Sequence, residues 1–100
     1  MSGLDLDLGD EYSDDPQQRT VEILIEETGL ALREAIKKKG GRQVDVAAKL
    51  GRAQSHVSLA MSGRQNLTLR SMAEIAWAAG IGVEVVFTVP EEGEGSTNGA

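Results

Sequence analysis

One hundred residues allow a single small domain, and the absence of cysteine excludes disulfides and thiolate–zinc sites. No apolar run reaches the roughly 18 residues of a membrane span, and the N-terminus lacks the basic start and apolar run of a signal peptide, so a cytoplasmic protein with no membrane partner is expected. The net charge of −6 hides a strong segregation. Met1 to Gln18 holds six acids and no base, whereas Arg33 to Arg70 holds nine bases and two acids. A basic middle between acidic ends is the asymmetry that any functional reading must explain.

Residues 1–15 and 91–100 are too polar to offset chain entropy by burial and are expected to stay disordered. The candidate folded domain is 16–90, small enough that a partner subunit would add to its stability. Asp15-Pro16 reads as an N-cap followed by proline in the first helical position. Val21, Leu24, Ile25, Thr28, Leu32, Ala35 and Ile36 then keep the spacing of one helix face. Gly29 lies inside this run, where it costs about 1 kcal/mol and suggests a kink. Lys37 to Lys39 suit the negative end of the helix dipole, and Gly40-Gly41 ends the helix.

Gln43 to Leu50 forms a short second helix, Gln54 to Ser62 a third, and Leu69 to Ala79 a fourth capped by Thr68. The third is expected to bury Val57, Ala60 and Met61, and the fourth Leu69, Met72, Ile75, Ala76 and Ala79. Val83 to Val89 is rich in valine and reads as a strand. A lone strand leaves its backbone groups without partners inside the chain. Pairing with the same strand of a second subunit about a two-fold axis satisfies them, with Val83, Val85, Phe87 and Val89 at the dimer interface. The alternative is an extended arm lying on its own helices. Trp77 and Phe87 are assigned to core or dimer interface.

The segment DVAAKLGRAQSHVSLAMSGR carries the functional signal. Two short helices joined through a glycine, with a small residue before it and a buried branched residue after it, have the logic of a helix-turn-helix. Gly51 supplies the turn, Ala47 leaves room for the next helix, and Val57 faces back into the angle. From Gln43 through Val46-Ala47, Leu50-Gly51, Gln54-Ser55, Val57-Ser58 and Ser62-Gly63 to Asn66-Leu67-Thr68-Leu69, the chain resembles the lambda-repressor-like (Cro/C1-type, xenobiotic-response-element) helix-turn-helix family. The resemblance covers roughly residues 20–89. It departs from the family pattern at Arg42 and Ala53, where Ser or Thr caps are usual, and at Leu59, which is usually polar.

The resemblance implies a mainly α fold of four to five helices with one C-terminal strand paired across a homodimer. It implies a sequence-specific transcriptional regulator, a repressor that binds double-stranded DNA at a palindromic operator without a cofactor. Gln54, Ser55, Ser58 and Leu59 would then face the major groove, and Gln43, Arg52, Arg64, Thr68 and Arg70 the phosphates. For each, the plainer alternative is a helix cap or a solvated surface residue. An antitoxin that binds its own operator and neutralises a toxin protein is the rival reading. Leu4, Leu6 and Leu8 among the N-terminal acids would suit a basic toxin. The acidic ends otherwise solubilise the chain or compete with phosphates for its basic part. An enzyme is not expected. Ser55 and His56 are helix neighbours that do not face each other, no acid completes a triad, and His56 has no second His or Cys with which to bind a metal.

Overall fold

A computed structural model describes residues 12–91. Four helices occur in order: α1 (Pro16–Lys39), α2 (Gln43–Leu50), α3 (Gln54–Ala60) and α4 (Leu69–Ala79). The domain is mainly helical, and no strand is present among the described residues.

Asp15 caps α1 with its side chain, and Pro16 occupies the first turn, where its missing N–H costs nothing. The three lysines fill the last turn before Gly40. With 24 residues, α1 is about 36 Å long and spans the domain. It runs unbroken through Gly29, so the expected kink is absent.

The glycine has another purpose. A Cβ on Gly29 would sit 2.7 Å from both the backbone nitrogen and the Cα of Gly63, and 3.3 Å from the carbonyl oxygen of Ala60. The backbone of α1 therefore lies directly against the turn at the end of α3. Gly63 itself has φ +83°, and a Cβ there would meet the Glu26 carbonyl oxygen at 3.3 Å. Two residues without side chains let the two segments touch.

The core takes a residue from every helix. Ile36 of α1, Val57 of α3 and Ile75 of α4 are the largest fully buried side chains, and Val46 and Ala47 of α2 join them. Burial of each branched side chain contributes about 1.5–3 kcal/mol. α2 packs on both α3 and α4. Its C-terminus is closed at Gly51, with φ +70°, and the Arg52 N–H donates to the Ala47 carbonyl at 3.0 Å. This six-to-one bond with a left-handed glycine is the Schellman motif, and it turns the chain directly into α3. Arg42 and Ala53 stand at the N-caps of α2 and α3, and neither makes a side-chain capping bond. α3 ends two residues earlier than expected, because Met61 and Ser62 already belong to the turn.

Three apolar residues expected on inner faces are outside: Val21, Leu24 and Leu69 are 41%, 63% and 66% exposed. Trp77, assigned to core or dimer interface, is 64% exposed in the single chain. α1 and α4 have longer apolar faces than the single chain can cover. Beyond Gly80 the Ile81 N–H closes α4 on the Ala76 carbonyl, and residues 82–91 continue with neither helix nor ladder. Val85, Val86, Phe87 and Val89 are exposed. The expected disorder of residues 1–11 and 92–100 falls outside the described residues, and so do Leu4, Leu6 and Leu8. Tyr12 and Ser13, assigned by sequence to the N-terminal segment, lie against α1.

The two glycine sites should respond differently to alanine. At Gly51 the added methyl meets nothing within 4 Å, so the cost is the left-handed backbone alone, about 1 kcal/mol. At Gly29 alanine improves helix propensity by about 1 kcal/mol but collides with backbone that cannot rotate away. Chemical denaturation should therefore show Gly29→Ala to be the more destabilising change, by about 1–3 kcal/mol net. A neutral or stabilising Gly29→Ala would contradict the close approach.

Candidate nucleic-acid interface

α3 presents two sides. Val57 and Ala60 are buried, while Gln54, Ser55, Ser58 and Leu59 are exposed along the opposite strip. These four positions recur at the i, i+1, i+4 and i+5 spacing of one helix face. The strip mixes an amide, two hydroxyls and one branched apolar side chain, the groups that meet base edges and thymine methyls. Its orientation is set from behind, by Val57 in the core and by the Schellman turn at Gly51.

Five cations lie between Gly41 and Gly80, and the fold treats them unequally. Arg42 pairs with Asp45 across one turn of α2 at 3.3 Å. Arg52 places one guanidinium nitrogen 3.5 Å from Glu74 Oε1 and another 3.1 Å from His56 Nε2. Arg52 therefore braces the α2–α3 turn against α4 instead of pointing freely away. The pair is substantially exposed and contributes at most about 1 kcal/mol, so the brace is weak enough to be given up for a stronger anion. Lys49 Nζ stands 4.6 Å from the centroid of the Trp77 ring, a cation–π contact at the surface. Trp77 thus belongs to an exposed cluster with Lys49, Arg52 and Glu74, and not to the core.

Arg64 and Arg70 remain. Neither makes an ion pair among the described residues. Ser62 holds the turn that carries Arg64: its Oγ donates to the Leu59 carbonyl at 2.7 Å and accepts from the Arg64 N–H at 3.1 Å. The turn is further locked by the approach of Gly63 to α1. Arg64 is therefore an exposed guanidinium on a rigid mount next to the end of α3. Arg70 is exposed in the first turn of α4.

Thr68 accepts from the Ser71 N–H at 3.0 Å and donates to the Ser71 hydroxyl at 3.1 Å. Its hydroxyl is occupied as the α4 cap, so its structural role is satisfied within the chain. Gln43 is half-buried in the first turn of α2. Ser62 and Glu74 are not among the residues that sequence assigns to this surface. A Ser two residues before an Arg at a glycine turn is a usable signal for the first, but the Arg52–Glu74 contact joins residues 22 apart and leaves no local trace.

A second surface lies elsewhere. α1, the start of α4 and the C-terminal segment enclose an open apolar groove of about 630 Å³, with Leu24, Ile25, Leu69, Met72, Val85 and Phe87 on its walls. Val83, Val85, Phe87 and Val89, expected at a dimer interface, are all exposed in the single chain. Leu24 and Leu69 extend this apolar surface beyond the segment that sequence alone indicated.

Among the described residues no group of His, Asp and Glu is placed to hold a metal ion, and no helix is long and apolar enough to cross a membrane. No family model matches the chain, and neither a curated protein nor a solved structure is detectably similar to it.

Proposed function

We propose that the chain is a sequence-specific DNA-binding transcriptional regulator, a repressor that acts as a homodimer on a palindromic operator. The observation that carries this reading is the exposed polar strip of α3 beside the rigidly mounted Arg64, which has no ion-pair partner among the described residues. α3 enters the major groove and α2 crosses the backbone, the arrangement of helix-turn-helix proteins. Gln54 reads a base, because its amide can pair bidentately with adenine N6 and N7. Ser55, Ser58 and Leu59 meet neighbouring base edges, Leu59 through a thymine methyl. Arg64 and Arg70 hold phosphates, Arg52 joins them by exchanging Glu74 for a phosphate oxygen, and Gln43 and Thr68 line the same backbone path. No cofactor is needed, since positioning and charge suffice.

Dimerisation completes the reader. Two copies of residues 83–89 pair antiparallel about the two-fold axis, which satisfies the backbone groups that the single chain leaves open. The same union covers Phe87, Leu24 and Leu69. The two α3 helices then address half-sites about 34 Å apart, one turn of duplex.

The antitoxin reading adds a toxin-binding surface to the same DNA contact. Trp77, exposed and stacked by Lys49, supports it, because exposed tryptophans are common anchors of protein interfaces. Co-expression with the product of the adjacent gene separates the two readings. An antitoxin forms a stable complex that Trp77→Ala weakens, whereas a plain repressor purifies alone.

Selection of bound duplexes from a random pool should return a palindrome. Arg64→Ala should then weaken binding to all sequences and lower the salt slope by ~0.9 per lost phosphate contact. Gln54→Ala should instead relax the preference at one base in each half-site, by about 1–3 kcal/mol. A Gln54→Ala protein with unaltered preference would remove Gln54 from the reading.

Sedimentation equilibrium should give twice the chain mass, and Val85→Asp should shift it to the monomer with DNA affinity reduced. A wild-type protein that stays monomeric at tens of micromolar would rule out the paired arms.

A further inference from the structure

The N-terminal segment does not leave the domain at Asp15. Ser13 N–H donates to Glu22 Oε1 at 2.7 Å, Arg19 Nε donates to the Ser13 carbonyl at 3.2 Å, and the Tyr12 hydroxyl donates to the Glu26 carboxylate. Glu26 lies ten residues beyond Pro16, about 15 Å along α1. The chain before the helix thus folds back along it. It arrives at a surface cleft whose other wall is Ser62, Gly63 and Arg64, with Tyr12, Glu22 and Glu26 opposite. That wall is the rigid turn after α3. Tyr12 is half-buried there, and the eleven residues before it carry Asp5, Asp7, Asp10 and Glu11 with no base.

We infer that Met1 to Glu11 is a built-in competitor for the basic face, anchored beside Arg64 by Tyr12. Eleven residues reach at most ~40 Å from their anchor, and the anchor lines the same cleft as Arg64. A tether this short holds the four carboxylates at a millimolar effective concentration. Arg64 makes no ion pair among the described residues, and Glu22 and Glu26, across the cleft, are instead engaged by Ser13 and Tyr12. Duplex DNA, with its far higher charge density, displaces the segment. Weakly bound non-specific polyanions are opposed by it. The competitor rests on the reading of this face as the phosphate-binding one, and its effect is to widen the gap between specific and non-specific sites.

The test compares the wild type with three full-length variants. In the first variant Asp5, Asp7 and Asp10 become Asn and Glu11 becomes Gln. In the second Glu91, Glu92 and Glu94 become Gln, a nearly equal change in net charge made at the other end of the chain and outside the pairing segment. Each is titrated against a random-sequence duplex at 50 and 300 mM salt, and amide and Arg Nε resonances of residues 62–64 are recorded without DNA. The first variant should bind roughly tenfold tighter at low salt, with the gap closing at high salt as exposed charges are screened. The second should change much less. Tyr12→Ala should fall between wild type and the first variant, and the Arg64 resonances should move in the first variant and in Tyr12→Ala but not in the second variant.

Equal tightening by both variants would mean that net charge acts at a distance, and would overturn the competitor. Unmoved Arg64 resonances would overturn it as well. Should none of the proteins bind any duplex, the regulator reading fails by itself, and the resonances still decide whether the segment docks on this face.

Discussion

The approach of Gly29 to Gly63 is the constraint on which the arrangement of this domain depends. At that point a long helix and a tight turn meet backbone to backbone, with no side chain between them. Such a contact is short, dry and indifferent to rotamers, so it fixes distance better than a pair of interleaved side chains does. It also sets the position of the turn leaving α3. Gly63 is locked against α1, Ser62 is tied to Leu59, and Arg64 is carried on the result. The core alone would hold the inner side of α3 through Val57. The glycine contact holds its far end, and a helix of only seven residues needs both ends held if its outer strip is to keep one orientation. A glycine inside a helix costs about 1 kcal/mol relative to alanine, and the contact is what offsets that cost.

The same geometry governs the electrostatics. The chain is acidic as a whole, yet its middle is basic, and not every cation in that middle is equally available. Asp45 and Glu74 engage Arg42 and Arg52, and Trp77 engages Lys49. Each of these contacts is weak and exposed. They bias the side chains without immobilising them. Arg64 and Arg70 have no such partner among the described residues, and their positions flank the loop between α3 and α4. Net charge therefore says little about where an anion would bind. The distribution of unpaired guanidinium groups says much more.

Much of the fold was legible in sequence, for local reasons. The helix boundaries came from Asp15-Pro16, Thr68 and the glycines at 40, 51 and 80, which act within a few residues of their own position. Val57, Ala47 and Gly51 also read correctly, because the angle between two short consecutive helices is a nearly local property. What failed was tertiary. Gly29 looked like a kink, since sequence shows a helix breaker but not the turn that lies against it 34 residues later. Val21, Leu24 and Leu69 looked buried, since periodicity marks an apolar face but not how much of it finds a partner. For the candidate site, the exposed strip of α3 was legible from the spacing of its buried residues. The restraint of Arg52 by Glu74, and the mount that Ser62 gives Arg64, required the fold.

The exposed apolar residues are informative about what the monomer lacks. Among the described residues the buried apolar set is nine side chains, three of them alanines, which is a small core for a domain of this length. Outside it stand Leu24, Leu69 and Phe87 around a groove wide enough to take further side chains, next to a valine-rich segment whose backbone makes no ladder. Surface leucines singly need no explanation, but a contiguous set beside an unpaired extended segment does. In the proposed dimer a second copy would answer both deficits with one contact: the ladder would satisfy the backbone, and the groove would be closed by what the ladder brings. Burial and symmetry would then be linked. The interface that completes the core would also set the separation of the two α3 helices, so that stability of the fold and the spacing of the sites it reads would be consequences of the same surface.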